Sequence, residues 1–172
     1  MSSIPTFAFE KLSPDAAEEV LTLYRAVAGA HGGLARTPEE MDIAYVRGFL
    51  TRAARDGLSI AARSESGVLC GEIHAYRMGP AQFRHVLSDL TVAVHPEWQG
   101  RAIGSQLFGE LFKGAAELSP KVERIELMVR EGNGDAVRLY ERLGFQIEGR
   151  FAKRVRLPNG TMEDDIAMAK LI

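Results

Sequence analysis

A short stretch of small residues, Gln99 to Ser105, has the composition of a phosphate-binding loop. It follows an apolar run that Pro96 must end, because proline has no N–H to give to a strand ladder. From Ile103 onward the apolar residues recur at helical spacing. The first turn of a helix leaves backbone N–H groups unpaired at the positive end of the helix dipole. We therefore predict that this stretch binds a phosphate or diphosphate through its main chain, which small side chains allow a ligand to approach.

Two better-known phosphate motifs are absent from the sequence. The stretch is not the G-x-G-x-x-G dinucleotide fingerprint, and the chain contains no G-x-x-x-x-G-K-[ST] loop. On local grounds, a tight turn whose glycines only let a helix pack on a sheet is the alternative.

Titratable side chains on another apolar run could move a proton. The segment 68–77 alternates as a strand, and period two puts four residues on one face: Cys70, Glu72, His74 and Tyr76. Asp89 lies on the following strand, aligned with Leu87 and Thr91 unless a bulge shifts it. We predict Glu72 as general base, with His74 and Asp89 as substrate contacts. The alternatives are a solvated charge for Glu72, a structural histidine for His74, and an arginine partner or turn cap for Asp89.

Two longer patterns resemble those of one protein family. Residues 94–104 read V-x-P-x-x-Q-G-x-x-x-G, and residues 133–145 read N-x-x-A-x-x-L-Y-x-x-x-G-F. In this order and spacing they resemble the GCN5-related N-acetyltransferase (GNAT) superfamily, which binds acetyl-CoA. Ala102 departs from the glycine that many members carry, but an alanine methyl is small. The resemblance extends over essentially the whole chain.

The resemblance implies acetyl-CoA as co-substrate and assigns residues to it. The diphosphate would lie on the loop, and the pantetheine arm would bind the backbone of the preceding strand as an added strand does. The residues assigned to acetyl-CoA are Leu90, Val92, Val94, Gln99, Gly100, Arg101, Ala102, Ile103, Gly104, Ser105, Asn133, Ala136 and Tyr140. Asn133 also stands where it could cap a helix.

Tyr140 is the predicted general acid. In the resembling family the corresponding tyrosine faces the thioester sulfur. A phenol, with a reference pKa of about 10, stays protonated at neutral pH and can give a proton to a thiolate. The alternative is a core aromatic residue.

The acceptor of the acetyl group must be a neutral amine. An α-amine with a pKa of about 7.8 is roughly one part in seven neutral at pH 7, whereas a lysine near 10.4 is about one part in 2,500. The chain end from Gly149 to Met168 also resembles acetyltransferases of ribosomal-protein N-termini and of free L-amino acids. Both act on an α-amine. We predict a small-molecule amine such as an L-amino acid, with a protein N-terminus and a non-catalytic acyl-CoA-binding module as alternatives.

Basic residues could recognise a carboxylate on the acceptor. Arg36 lies in a glycine-rich loop and is the predicted substrate contact. Arg150, Arg154 and Arg156 share one strand face by parity, where pairing with acidic residues of the next strand is the alternative.

The composition is that of a globular enzyme rather than a nucleic-acid-binding protein. The 172 residues carry a net charge of −2, with 46% hydrophobic residues and one cysteine, Cys70. We predict one domain over residues 1–172, with neither nucleic acid nor membrane as partner, and no metal. We also expect a cytoplasmic location, because Met1–Thr6 lacks a signal-peptide pattern. A homodimer through the last strands is left open.

The elements must bring the loop, the strands and the tyrosine together. Caps, periodicity and turn signals predict the order β-α-α-β-β-β-α-β-α-β-β. This is an α/β (mixed α+β) chain. With the resemblance, the prediction is the GNAT fold, a central mixed sheet of six to seven strands flanked by four helices.

Overall fold

The computed structural model describes residues 6–30 and 33–172. The strands are β1 (Ala8–Lys11), β2 (Gly57–Arg63), β3 (Leu69–Arg77), β4 (Val86–Val94), β5 (Arg124–Arg130), β6 (Gln146–Arg156) and β7 (Met162–Leu171). The helices are α1 (Ala17–Ala28), α2 (Ile43–Asp56), α3 (Ile103–Ala116) and α4 (Gly134–Arg142). The predicted order of elements is confirmed.

The strands form one seven-stranded sheet in the order β1-β2-β3-β4-β5-β7-β6. All neighbours are antiparallel except β4 and β5, which run parallel. The helices α1 and α2 bury their apolar stripes on one face, with Tyr24 and Leu50 fully buried there. Residues of α3 and α4 pack on the opposite face around Phe108. The predicted mixed sheet with four helices is thus confirmed.

The run Thr37-Pro38-Glu39-Glu40 has the pattern of a capping box, so the sequence predicts the start of α2 too early. The capping box at Thr37 forms, but it opens only a turn of 3₁₀ helix over Pro38–Glu40. Met41 then turns to extended backbone and is buried in the core. The α-helix begins at Ile43, where the Asp42 carboxylate accepts a hydrogen bond of 2.7 Å from Tyr45 N.

Irregular pairing corrects two parity predictions. The register between β2 and β3 shifts near Cys70, so this thiol packs in the core around α3 and not beside Glu72. A second shift between Phe151 and Val155 interrupts the face expected for Arg150, Arg154 and Arg156. A β-bulge adds a residue to one strand, and period-two reasoning fails from that point on.

No helix in the described part of the chain is long and apolar enough to cross a bilayer. The predictions of a single domain, a cytoplasmic location and a homodimer stay predictions.

Candidate active site

The strands β4 and β5 separate soon after they meet. Val86 and Leu87 pair with Arg124 and Ile125, and the remainder of β4 pairs with no other strand of the described residues on that side. On its other side β4 pairs with β3 along most of its length. The backbone of Leu90 to Val94 therefore presents an open strand edge, to which an extended ligand can hydrogen-bond as an added strand does.

A cavity of about 300 Å³ lies in the gap between these strands. Its walls include predicted cofactor residues from both sides of the gap: Leu90, Val92, Val94, Gln99, Asn133 and Tyr140. We call it the cofactor cavity. Its place and lining suit the arm of a long, thin ligand.

The loop after Gln99 presents unused backbone donors. Among the described residues, no acceptor is hydrogen-bonded to the amides of Gly100 through Ser105, and the first amide used beyond them is Gln106 N, 3.1 Å from Ala102 O. Gly100 and Ala102 have φ of 75° and 59°, which turn the chain into α3. Such a run of outward amides at a helix start suits a diphosphate. The loop therefore offers unused backbone donors to a phosphate group.

The other residues of the loop have mixed surroundings. The Gln99 side chain donates a hydrogen bond of 3.1 Å to Val94 O and so ties the loop to β4. The guanidinium of Arg101 lies 4.8 Å from the centre of the Trp98 ring. Ile103 is buried in the core, so only its backbone can serve a ligand.

Tyr140 lies on the wall of the cofactor cavity, in the last half of α4. Its ring packs against Phe108 and Phe145, with centroids 5.6 and 6.0 Å apart. Burial raises the pKa of Tyr140 to about 12. The phenol is therefore protonated throughout the neutral range and acts as a hydrogen-bond donor there.

Asn133 and Ala136 lie at the start of the same helix. Asn133 is its N-cap, and its Oδ1 accepts a hydrogen bond of 3.4 Å from Ala136 N. Asn133 also lines the cofactor cavity, whereas Ala136 packs against the core and is not on the cavity wall.

A second, larger cavity of about 750 Å³ adjoins the first. We call it the acceptor cavity. It shares Leu90, Thr91 and Met128 with the cofactor cavity, so the two meet where β4 leaves β5. Arg36, His74 and Asp89, the predicted substrate contacts, all lie on its walls. Glu72 lies on neither cavity wall.

His74 and Glu72 form a buried pair next to this junction. His74 pairs with Thr91 across the strands, and its ring stacks on Phe49 with centroids 4.0 Å apart. Its Nδ1 is 3.1 Å from Glu72 Oε2, and the Glu72 side chain is 0% exposed. Glu72 cannot reach an amine in the cavity from this position, and it is not the solvated charge considered as its alternative either.

Two hydroxyl groups complete the surroundings of Glu72. Tyr24 Oη donates to Oε2 at 2.6 Å, and Ser59 Oγ donates to Oε1 at 2.6 Å. Tyr24 Oη is also 3.2 Å from His74 Nδ1. Burial, together with the adjacent Glu72 carboxylate, raises the pKa of Tyr24 well above its usual range.

Asp89 lies in the bulge that the sequence left open. The register between β3 and β4 shifts between His74 and Tyr76, and Asp89 has a φ of 50°. The carboxylate is exposed on the wall of the acceptor cavity, where burial of Tyr76 and then the charge of Asp89 raise the pKa of that phenol.

The arginines of the acceptor cavity differ in their partners. Arg124 donates to Glu126 at 3.0 Å and to Glu148 at 2.9 Å, which neutralises its charge. Arg36 and Arg52 form no ion pair with any residue that the structure describes. They lie instead over tyrosine rings, 4.2 Å from the centre of Tyr45 and 5.7 Å from that of Tyr76. Two guanidinium groups are thus available for an anionic part of the acceptor.

The basic residues of β6 have acidic partners. Arg150 pairs with Glu131, and Arg154 lies 3.6 Å from Asp165. The pair of Arg154 matches the alternative of pairing with the next strand, whereas the partner of Arg150 follows β5 instead.

The loop after α1 and the last hairpin contribute walls to both cavities. Gly33, Leu34 and Ala35 line the cofactor cavity and Arg36 the acceptor cavity. Arg130 Nη2 fixes the loop to β5 by a hydrogen bond of 2.9 Å to Gly33 O. Phe151 and Val155 of β6 contribute walls from the other side.

Sequence reasoning missed Tyr24, Phe49 and Arg52. Tyr24 and Phe49 belong to apolar helix stripes, so their spacing signals burial and nothing more. Arg52 is one of several arginines on α2, and only the fold shows that it lies on the wall of the acceptor cavity.

The chain belongs to the acetyltransferase (GNAT) family, whose model matches residues 21–145. The predicted family is thereby confirmed.

Sequence relatives include enzymes with different acceptors. An L-amino acid N-acetyltransferase, AaaT, of Escherichia coli is 33% identical over 88 residues, which are 51% of this chain and 53% of that protein. A spermine/spermidine N(1)-acetyltransferase of Bacillus subtilis is 39% identical over 56 residues, 33% of this chain and 36% of that one. The matches therefore span about half of the first relative and about a third of the second.

Solved structures share the fold over nearly the whole chain. Ribosomal-protein-alanine N-acetyltransferase from Brucella melitensis has a TM-score of 0.80 and 25% identity, covering 96% of this chain and 99% of that one. A phosphinothricin acetyltransferase from Sinorhizobium meliloti, solved with acetyl-CoA, has a TM-score of 0.84 at 18% identity, covering 97% and 89%.

Proposed function

We propose that the chain is an acetyl-CoA-dependent N-acetyltransferase that acetylates a primary amine by direct attack. Its acceptor is the α-amine of a small molecule such as an L-amino acid. The single observation that carries the proposal is the meeting of two cavities at Leu90 and Thr91. One is bordered by unused strand and loop amides, and the other carries a buried imidazole and unpaired arginines.

The loop and the open strand edge fit acetyl-CoA. The amides from Gly100 to Ser105 would hold the diphosphate, and the backbone of Leu90 to Val94 would hold the pantetheine arm. Acetyl-CoA supplies the acetyl group as an activated thioester. The membership in the acetyltransferase family supports this choice of co-substrate.

The proton of the attacking amine goes to His74 in this proposal. Because Nδ1 faces Glu72, the opposite ring nitrogen, Nε2, is the one that can serve the cavity. Glu72, which the sequence predicted as the base itself, instead contacts Nδ1, on the side of the ring opposite Nε2. An α-amine suits an imidazole base, since its reference pKa of about 7.8 lies close to that of histidine, about 6.5.

Arg36 would receive the acceptor's carboxylate, and Arg52 lies on the same wall. Tyr140 would donate a hydrogen bond to the departing sulfur from the cofactor cavity.

Two other acceptors have specific support. The ribosomal-protein-alanine enzyme supports a protein N-terminus, and the spermine/spermidine enzyme supports a polyamine. A polyamine needs several free carboxylates, and among the carboxylates of the described residues of the acceptor cavity only that of Asp89 has no ion pair, because Glu126 and Glu148 already hold Arg124. The walls from the Gly33–Arg36 loop and the last hairpin count against a peptide.

A panel of amines tests the proposal. The purified protein is incubated with acetyl-CoA and, separately, L-amino acids, spermidine and a peptide with an N-terminal alanine, and thiol release is followed. We expect release to accelerate with one or more L-amino acids. Acceleration by spermidine or the peptide alone would replace the acceptor, and no acceleration by any amine would contradict the enzyme assignment.

A further inference from the structure

One part of the acceptor cavity carries a cation and an anion that form no ion pair with any described residue. We propose that Arg52, Tyr76 and Asp89 form a subsite for the side chain of the acceptor. This subsite selects a neutral group that both accepts and donates hydrogen bonds, such as the carboxamide of L-glutamine. The inference rests on the proposed function, because it narrows the choice of acceptor at the same site.

The helix α2 sets the order of the groups along this wall. Tyr45, Phe49 and Arg52 follow each other at helical spacing and all line the acceptor cavity, with Tyr45 and Arg52 two turns, or about 10 Å, apart. Arg36 lies over Tyr45 at one end, and the His74 ring stacks on Phe49 in the middle. An amino acid with its carboxylate at Arg36 and its amine at His74 therefore has its side chain left for the Arg52 end.

The strands bring Tyr76 and Asp89 to the same end. Tyr76 follows His74 by two residues on β3, and the two rings are parallel within 1°, with centroids 6.1 Å apart. Tyr76 pairs across the strands with Ser88, the residue before Asp89. The guanidinium of Arg52 lies 5.7 Å from the centre of the Tyr76 ring. Arg52, Tyr76 and Asp89 thus share one region of the cavity wall.

The Tyr76 hydroxyl lies next to both charged groups. Burial is the largest cause of its raised pKa, the charge of Asp89 and a hydrogen bond to Asp89 add to the rise, and a hydrogen bond to Arg52 opposes it. A hydroxyl offers one donor and two acceptor sites, whereas a guanidinium has five donors and a carboxylate about four acceptor sites. Most of the hydrogen-bonding capacity of Arg52 and Asp89 is therefore left for a ligand.

The two opposite charges discriminate against a charged side chain of either sign. A carboxylate would be attracted by Arg52 but repelled by Asp89, and an ammonium group would meet the reverse. A carboxamide offers its C=O to Arg52 and its NH₂ to Asp89, and it meets no like charge. The other charges on this wall, Arg124, Glu126 and Glu148, are already paired with one another.

The test compares acceptors of nearly equal size. L-Glutamine, its anionic counterpart L-glutamate and the apolar L-methionine are supplied with acetyl-CoA, and kcat/KM is measured for each. We expect the wild type to prefer L-glutamine to L-glutamate by about tenfold or more, because only the carboxamide satisfies both charged groups.

Two variants separate the charges of the subsite. Asp89 has a φ of 50°, which asparagine tolerates, so Asp89→Asn removes the charge and keeps the backbone. It should raise kcat/KM for L-glutamate by about tenfold, since the repulsion is lost while Arg52 remains. Arg52→Gln should lower kcat/KM for both polar acceptors and leave that for L-methionine within about twofold. Arg55→Gln is the control, because Arg55 lies on the same helix and lines neither cavity.

The outcomes separate this inference from the proposed function. Turnover of L-glutamate or L-methionine at least equal to that of L-glutamine would overturn the inference and leave the proposed function standing. An unchanged ratio of L-glutamate to L-glutamine in folded Asp89→Asn, or an equal change in Arg55→Gln, would also overturn it. If no amine is acetylated, the proposed function fails. Calorimetry with coenzyme A and either N-acetyl-L-glutamine or N-acetyl-L-glutamate then decides the subsite, and equal affinities would overturn it.

Discussion

The raised pKa of Tyr140 makes its phenol a poor acid in this site, although the phenol can still donate a hydrogen bond. Its pKa of about 12 lies above that of a thiol, about 8.5, so full proton transfer to a thiolate is uphill by about 5 kcal/mol. We infer that the phenol stabilises the charge growing on sulfur while it keeps its proton. The proton that finally neutralises the thiolate then originates from the acceptor amine.

Tyr140→Phe is expected to lower kcat by about 100-fold and to leave the KM for acetyl-CoA within about twofold, since one donor to a developing charge is lost. The hydroxyl makes no hydrogen bond with the residues that the structure describes, so the variant should keep the melting temperature of the wild type. Steady-state kinetics and thermal melting check both. A kcat equal to that of the wild type would remove the donor role.

Arg36→Met tests carboxylate recognition. Losing a charge-assisted hydrogen bond of about 1.5–3 kcal/mol should raise the KM for an L-amino acid by about tenfold or more. The KM for the corresponding amine without a carboxylate should not change. Arg55→Met is the matched control, because Arg55 is exposed, pairs with Asp56 and lines neither cavity. Equal effects on both acceptors would show that Arg36 reads no carboxylate.

At the residue scale, the sequence predicted which side chains share a strand face better than it predicted how deeply each side chain is buried. Alternation correctly put Glu72 and His74 on one face, yet it carries no information on how far each lies from solvent. The burial of Glu72 depends on Tyr24 and Ser59, which come from other elements. The same limit applies to Ala136, which lies behind the cavity wall.

The loop and the helix α3 act together as one binding element. An added Cβ at Gly104 would lie 3.6 Å from Leu139 Cδ2, which is an ordinary van der Waals contact. Gly109 lies later in the same helix, and an added Cβ there would meet nothing within 4 Å. Both glycines therefore lie in α3, but only Gly104 lies in its first turn, next to the loop amides.

Gly104→Val is expected to weaken acetyl-CoA binding by about tenfold or more, because a branched side chain next to the loop amides would obstruct a diphosphate bound to them. Gly109→Val should bind as the wild type does. Isothermal titration calorimetry with coenzyme A measures both. Unchanged affinity in folded Gly104→Val would contradict the placement of the diphosphate.

Elements were predictable from the sequence where caps and periodicity agree. The sequence predicts the helix α4 over 133–143, with Gly144 as its C-terminal cap, and the structure has it over Gly134–Arg142, within one residue at each end. The bulges near Cys70, Asp89 and Lys153 were not predictable, because they arise from the pairing of distant strands. The bulge at Asp89 matters most, since it sets which side chains of β4 face the acceptor cavity.

Ion pairs connect neighbouring elements near both edges of the sheet. Arg63 joins β1 to α1 through Glu10 and Glu19, and Arg124 joins β5 to β6 through Glu148. The hydrogen bond from Arg63 lowers the pKa of Glu19, and that from Arg124 lowers the pKa of Glu148. A lowered folded-state pKa contributes stability above the unfolded pKa of 4.5, which is lost as pH falls through the folded value.

The free energy of unfolding should therefore decrease as pH falls below about 4.5, and Glu19→Gln with Glu148→Gln should flatten this dependence. Both carboxylates are largely exposed, so we expect about 1 kcal/mol or less from each pair. Urea unfolding at a series of pH values measures it. Glu65→Gln is the control, since Glu65 forms no ion pair within the described chain. A double variant as steep as the wild type would contradict the assignment.

The sheet consists of two blocks, β1–β4 and β5–β7, which share only two paired positions at their boundary. A metabolite lying along that boundary would touch both blocks, and it would favour the folded state in proportion to the logarithm of its concentration. The stability of the enzyme would then follow the cell's supply of activated acetyl groups, so a shortage of them would leave a less stable and more easily degraded protein.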